Sequence, residues 1–201
     1  MPLPTADDLF FALPLPARNG YTFTLPSLLG DMLWDAEELF GQRDMTFTIL
    51  GIEVTDGFAP QPWFPGDRKH VVVQLTKIAK DHPQVACFQL AHETVHLLSP
   101  GVYGTSSNLE EGLATAFSIR YLKKFGIDAR NWVDHAAYIQ PLAVSEPLLL
   151  QNPCPIKAIR DQRPDRTTDF SMSRITATML RAACKDMTQE AADFLAAPFK
   201  K

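Results

Sequence analysis

The chain has 201 residues, of which 46% are hydrophobic, so one domain can bury a sizeable core. Its formal net charge is −4, and its 19 basic residues are scattered, which gives no reason to expect binding to nucleic acid or to an anionic membrane. Only three cysteines occur, with no C-x-x-C pair, so neither a disulfide framework nor a thiolate zinc site is indicated.

The first residues carry acids and prolines where a secretory signal peptide would have a basic start followed by an apolar stretch. No uncharged apolar run along the chain reaches the length of a membrane-spanning helix. We therefore expect a cytoplasmic protein without a membrane partner.

The first eighty residues contain signals for one helix and two strands. Apolar residues recur at helical spacing over 28–40, and β-rich runs predict strands over 45–54 and 70–76. The prolines of 59–68 predict a loop between these strands, and the proline-rich residues 1–25 predict an extended surface arm.

The rest of the chain contains signals for four helices and, over 141–164, a stretch that five prolines interrupt. A buried helix, with Asp81 as its N-cap and Pro83 in its first turn, contains the most informative motif of the sequence. A loop over 99–106 leads to a second strong helix over 108–125, and two shorter helices are expected over 173–184 and 188–197.

This order of elements predicts an α+β fold with a small sheet. We expect residues 1–140 to form the core with its N-terminal arm. Residues 141–201 would then form a helical extension packed on that core.

The motif is H-E-x-x-H, formed by His92, Glu93 and His96. On a helix, two histidines four residues apart leave the same face, and both can bind one tetrahedral zinc ion. Glu93 is then placed to act on a water molecule at the metal rather than to bind the metal. The surrounding helix is apolar almost all round, and burying these three groups without partners would be costly. A metal ion would supply the partners.

A catalytic zinc needs a third protein ligand and one open position. The adjacent carboxylates Glu110 and Glu111, at the start of the next helix, are the best candidates. If Ser107 is the helix cap, Glu110 completes a capping box and Glu111 is free to bind the metal. If Asn108 is the cap, these roles exchange. Small residues on the Glu111 face allow close approach to the motif helix, and this favours Glu111.

With these residues the chain resembles the zincin metallopeptidases of the gluzincin type, which combine H-E-x-x-H with a downstream glutamate in an E-G-L-A segment. The resemblance covers about residues 70–125 and implies a zincin-like core. It implies that His92, His96 and Glu111 bind Zn²⁺ and that Glu93 is the general base. The chain departs from the large enzymes of this group because only fourteen residues separate His96 from Glu111. It is in this respect similar to minimal single-domain zincins.

Members of this family often use a tyrosine or histidine to stabilise the developing oxyanion. The candidates here are Tyr103, His135 and Tyr138. Asp134 is a candidate partner for a metal-binding histidine. In zincins the strand before the motif helix holds extended peptide, which would give this role to residues 70–76, although these residues also fit a core strand.

These features predict a zinc-dependent metallopeptidase whose partner is a peptide or protein substrate. The alternative from another class is a regulatory or binding protein that is built on a zincin core and has little or no peptidase activity. A purely structural zinc site is disfavoured, since such sites usually close with four protein ligands and favour cysteine.

Overall fold

The computed structural model describes residues 9–10, 12, 14, 21–101, 106–162 and 171–200. Within these residues the chain forms seven α-helices and one three-stranded sheet, together with short 3-10 turns. The predicted α+β class is confirmed, while the zincin-like core stays a prediction. None of the described helices has both the length and the apolar character needed to cross a membrane.

The first helix, α1 (Leu25–Phe40), begins slightly earlier than its apolar pattern predicts because Thr24 caps it. The Thr24 hydroxyl accepts a hydrogen bond from the Ser27 amide at 3.4 Å. Gly41 ends the helix with a φ of 88°, a conformation that glycine adopts without strain. Most of the predicted N-terminal arm lies outside the described residues.

Three strands form the sheet: β1 (Thr48–Thr55), β2 (Gln61–Trp63) and β3 (His70–Thr76). β3 is central, parallel to β1 on one side and antiparallel to β2 on the other. The predicted loop over 59–68 is therefore wrong in part, because it contains β2. A short edge strand tolerates proline, since a missing N–H there breaks no ladder bond.

Alternate residues of β3 point into the core, where Val71, Val73 and Leu75 are fully buried. β3 leads through a short turn into the motif helix, α2 (Pro83–His96), which packs against α1. The predicted cap at Asp81 is wrong. His82 occupies the cap position without a side-chain hydrogen bond, and proline starts the helix because the first turn needs no N–H partner.

The next helix, α3 (Asn108–Lys123), packs along α2. Between residues 108 and 122 only Arg120 is not buried, so α3 is a core helix with no solvent-facing stripe. Its first turn carries Glu110 and Glu111, both 6% exposed. The fold thus buries two adjacent carboxylates beside the motif helix.

The proline-interrupted part of the chain also folds into helices that the sequence pattern did not predict: α4 (Ala136–Leu149) and α5 (Pro155–Asp161). Pro141 and Pro147 lie inside α4, where each removes a helical hydrogen bond. Because prolines usually end a helix, the sequence pattern does not predict α4. α4 continues across residues 140 and 141, and the division of the chain at this point stays a prediction. The two helices predicted last are present and shorter: α6 (Ala177–Ala183) and α7 (Gln189–Ala196).

α4 packs against α3 at Gly112, where the two helices approach too closely for any side chain. A Cβ atom added to Gly112 would lie well inside contact distance of the Pro141 carbonyl oxygen and the Ser145 hydroxyl. Gly112 directly follows Glu111, so this contact fixes α4 beside the buried carboxylates.

Arg160 on α5 is 2% exposed and connects three parts of the fold. Its Nη1 donates to the carbonyl oxygens of Phe40 and Gly41 at 2.7 and 3.1 Å. Its Nη2 donates to the Leu98 carbonyl at 3.4 Å and to the Ser99 hydroxyl at 3.2 Å. A buried guanidinium requires such acceptors, and here they join the end of α1 to the residues that follow α2.

Candidate metal centre

The motif residues lie in the last two turns of α2. His92 is 9% exposed and Glu93 is 2% exposed, so the helix buries both a histidine and the adjacent carboxylate. The His92 and His96 rings leave the same side of the helix, as their spacing predicts, with centroids 5.2 Å apart. Three ionisable groups are thereby concentrated within one face of a core helix.

Glu111 meets these two rings across the interface between α2 and α3. Nε2 of His92 lies 3.2 Å from one Glu111 oxygen, and Nε2 of His96 lies 3.7 Å from the other. One ligand atom from each of the three residues can be chosen so that all lie within 4.8 Å of one another. Ligands of a tetrahedral zinc ion are about 3.3 Å apart when the bonds are near 2.0–2.1 Å. The spacing therefore suits a single metal ion.

The position of Glu111 follows from the way α3 begins. The Ser107 hydroxyl accepts a hydrogen bond from the Glu110 amide at 3.2 Å, which confirms Ser107 as the cap. The second half of the predicted capping box is wrong, because the Glu110 carboxylate contacts His96 Nδ1 at 2.8 Å instead. Successive residues on a helix point about 100° apart, so Glu110 and Glu111 reach different nitrogens.

Glu111 is held by more than the histidines. The Ser106 hydroxyl, immediately before the cap residue, donates a short hydrogen bond to the Glu111 oxygen that faces His96. The Thr115 hydroxyl donates to the Glu111 main-chain carbonyl at 2.8 Å, one turn further along α3. The Ser106 contact restricts the carboxylate to the orientation that faces the motif helix, whereas the Thr115 contact supports the backbone of α3.

The buried charges shift the pKa values of two of these groups in opposite directions. Burial alone would lower the pKa of His96, but the hydrogen bond to Glu110 and the neighbouring carboxylate charges raise it to about 10. Burial alone would raise the pKa of Glu111, but the hydrogen bond with His92 and the charge of His96 lower it to about 2. Without a metal, His96 is therefore protonated and Glu111 ionised at neutral pH.

A cavity of about 720 Å³ opens onto the three candidate ligands and Glu93. Apolar side chains of Val85, Phe88 and Trp132 line one part of it, and the Phe88 and Trp132 rings meet edge to face at 5.7 Å. Residues 59–62, which include the start of β2, also line the cavity. β3 has a partner strand on each side, so it has no free edge to pair with a peptide, and the predicted peptide-holding role of residues 70–76 does not fit the structure. The strand that lies at the cavity is β2.

Two of the three oxyanion candidates line this cavity, Tyr138 on α4 and His135 at the cap of α4. The Tyr138 ring lies edge-on to His92 with centroids 6.0 Å apart. Burial, together with the charges of Glu111 and Glu93, raises the pKa of Tyr138, so its hydroxyl keeps its proton and can donate it in a hydrogen bond. His135 is exposed at the start of α4, where its Nδ1 accepts from the Ala137 amide at 3.3 Å. The remaining candidate, Tyr103, lies outside the described residues.

Sequence reasoning missed the contact between Glu110 and His96. The predicted carboxylate partner of a metal-binding histidine is Asp134, which lines the cavity. The carboxylate that contacts His96 is instead that of Glu110. The available signal was the pair of adjacent acids after a serine cap, because one helical step turns two neighbouring side chains toward different partners.

The donor set of this site fits zinc. Two imidazole nitrogens and one carboxylate oxygen are ligands that zinc accepts, whereas Mg²⁺ and Ca²⁺ prefer oxygen alone. His92, His96 and Glu111 form a group that could hold a metal ion, and among the described residues no fourth side chain joins them. The three cysteines are buried and free.

The chain matches no protein-family model, and no curated protein sequence or solved structure matches it significantly. The resemblance to gluzincins therefore depends on the motif and on the ligand geometry alone.

Proposed function

We propose that this protein is a zinc-dependent metallopeptidase in which His92, His96 and Glu111 bind Zn²⁺ and Glu93 is the general base. The observation that carries the proposal is the meeting of two motif histidines and Glu111 at the wall of a cavity. Three protein ligands with cavity space beside them are typical of a catalytic zinc site, whereas structural sites usually close with four.

Zinc, when bound, would polarise a substrate carbonyl and lower the pKa of a water molecule toward 7. The protein supplies the proton transfers. In this proposal Glu93 takes a proton from water and passes it to the leaving amine. Its burial next to His92 and its position at the cavity wall support this role.

The oxyanion that develops on the scissile carbonyl needs a hydrogen-bond donor. Tyr138 is the better supported donor among the described candidates because its ring contacts His92 and its hydroxyl stays protonated. His135 is more exposed and contacts Tyr138 instead, with ring centroids 6.0 Å apart. We therefore assign the donor role to Tyr138 and a supporting position to His135.

A peptide is the substrate class that the cavity favours. Its volume accommodates several side chains, and β2 offers a strand edge beside it for main-chain pairing with an extended chain. Pro62 lacks an N–H, so at this position the free edge of β2 offers a peptide only a main-chain carbonyl.

Zinc content per chain, measured by elemental mass spectrometry, is the first test of this proposal. We expect about one zinc per chain in the wild-type protein. The zinc-loaded protein should cleave members of a peptide library, and the metal-stripped protein should not until zinc is restored. A protein that takes up no zinc after reconstitution would contradict the metal site. A zinc-loaded protein that binds unfolded proteins without cleaving them would favour the regulatory alternative.

A further inference from the structure

The residues that follow α7 pair with the backbone at the start of α3. The Ala197 carbonyl accepts a hydrogen bond from the Asn108 amide at 2.9 Å, and the Phe199 amide donates to the Ser106 carbonyl at 2.7 Å. Between these bonds Ser107 and Pro198 form an antiparallel bridge. The first amides of a helix have no partner within the helix, so residues 197–199 complete the N-terminal cap of the helix that carries Glu111.

The same segment reaches the metal centre by a second route. Phe199 is 9% exposed, and its ring centroid lies 4.9 Å from that of Tyr138. Tyr138 in turn contacts the His92 ring. Phe199 therefore touches the Ser106 side of the site with its backbone and the Tyr138 side with its ring.

Phe199 binds the main chain of Ser106, and Ser106 in turn contacts the candidate ligand Glu111. Ser106 donates to Glu111, and its carbonyl oxygen is the acceptor for the Phe199 amide. Loss of packing at Phe199 would release both the main chain of Ser106 and the ring of Tyr138. Aromatic contacts and burial hold such a ring in place, and an alanine at this position would remove both.

We propose that Phe199 is a positioning residue for the metal centre. It keeps Ser106 against Glu111 and Tyr138 against His92, although it does not itself line the cavity. This inference rests on the metal site of the proposed function and adds that residues 197–199, far from the motif in sequence, set the geometry of that site.

The test compares Phe199→Ala and Phe199→Leu with the wild-type chain. Leucine restores most of the buried apolar volume, whereas alanine leaves it empty. Ile52→Ala is the control for general destabilisation, since Ile52 packs against the core from β1, and β1 packs chiefly against β3 rather than against the helices of the site. Zinc affinity is measured by competition with a chelator, and ligand geometry by the visible absorption spectrum of the cobalt-substituted protein. Hydrogen exchange of residues 106–113 is measured in the metal-free protein.

We expect Phe199→Ala to weaken zinc binding by about tenfold or more, the range seen when supporting contacts of metal ligands are lost. Its cobalt spectrum should change and its residues 106–113 should exchange faster, while Phe199→Leu stays close to wild type. Wild-type zinc affinity and an unchanged cobalt spectrum in Phe199→Ala would overturn the inference. An equal loss of affinity in Ile52→Ala would overturn it as well, because general destabilisation would then explain the effect.

Failure of the metal site and failure of this inference give different results. If the wild-type chain binds neither zinc nor cobalt, the proposed function fails and the positioning role fails with it. If the wild-type chain binds metal and Phe199→Ala binds it equally well, only the positioning role fails.

Discussion

Nδ1 of His96 lies 2.8 Å from a carboxylate oxygen of Glu110, while Nε2 of the same ring is the nitrogen nearer to Glu111. The carboxylate thus holds the proton of the imidazole on Nδ1 and leaves Nε2 to bind a metal. Metal-binding histidines commonly have such a carboxylate partner, which fixes the tautomer and the orientation of the ring. The two adjacent acids of α3 therefore have separable roles.

Glu110→Gln and Glu111→Gln should weaken zinc binding to different extents. Losing the partner of His96 should lower zinc affinity by about 10–100-fold. Losing Glu111 removes a ligand, so its effect should be larger. Chelator competition measures both values, and Glu38→Gln, on the exposed surface of α1, is the control that should have no effect. Equal and mild losses in the two variants would mean that neither acid binds the metal.

Glu93→Gln should separate metal binding from turnover. The carboxamide keeps the shape of Glu93 but cannot accept a proton, and general-base catalysis typically contributes 10²–10⁴-fold to a rate. We expect zinc affinity close to wild type together with a loss of peptide cleavage of about that size. Parallel measurements of zinc content and of kcat/KM on one peptide check this, and full activity in the variant would remove Glu93 from the mechanism.

Zinc binding should release a proton from His96. Because the pKa of His96 is raised to about 10 in the metal-free protein, its ring is protonated at pH 7 and must lose that proton to bind zinc. Zinc affinity should therefore increase as the pH rises toward 10. Calorimetry in buffers of different ionisation enthalpy should show about one proton released per zinc at pH 7, and an enthalpy that is independent of the buffer would contradict the prediction.

The same shifts set how the stability of the metal-free protein depends on pH. The raised pKa of His96 stabilises the fold fully below pH 6.5, and this contribution is lost as the pH rises through 10. The lowered pKa of Glu111 stabilises the fold above pH 4.5, and this contribution is lost as the pH falls through 2. Together they favour maximum stability of the metal-free chain between pH 4.5 and 6.5, which thermal unfolding across pH would reveal.

Gly112→Ala should destabilise the protein, although alanine is the better helix former. The added methyl group would press on the Pro141 carbonyl and the Ser145 hydroxyl of α4. Overpacking of this kind costs about 1–3 kcal/mol. Gly30→Ala is the matched control, because a Cβ there meets nothing within 4 Å, so it should stabilise the fold by about 0.5–1 kcal/mol. Denaturant unfolding measures the free energy of unfolding of both variants, which should fall in Gly112→Ala and rise in Gly30→Ala.

Tyr138→Phe should reduce kcat while zinc affinity and KM change little. The variant keeps the ring contact with His92 and loses only the hydroxyl. Removing one oxyanion donor typically costs about 10²–10³-fold in kcat. Tyr121→Phe is the control, since the Tyr121 hydroxyl donates to Asp31 at 2.7 Å and Tyr121 does not line the cavity. Equal kcat values for the two variants would exclude Tyr138 as the donor.

The sequence predicted the elements whose signals are local. The bounds of β3 match its β-branched run, and α1 and α3 follow their apolar patterns and caps. The meeting of His92 and His96 with Glu111 could also be anticipated, because one helical turn sets the first pair and the Ser107 cap sets the direction of Glu111.

Elements that depend on distant contacts could not be predicted from the sequence. β2 depends on its pairing with β3, and α4 forms in spite of two prolines because it packs against Gly112 of α3. The contact of Phe199 with Tyr138 joins residues far apart in sequence, and no spacing rule connects them.

The guanidinium of Arg160 contacts the main chain just beyond the motif helix, at Leu98, from a position 62 residues later in the chain. The Asp44 amide donates to the same carbonyl at 2.8 Å. One main-chain oxygen thus serves as an anchor for both the first and the last third of the protein. Transplanting the motif helix alone into another scaffold would leave this anchor behind, so a functional graft must include the residue that holds the end of the helix as well as the residues that hold the metal.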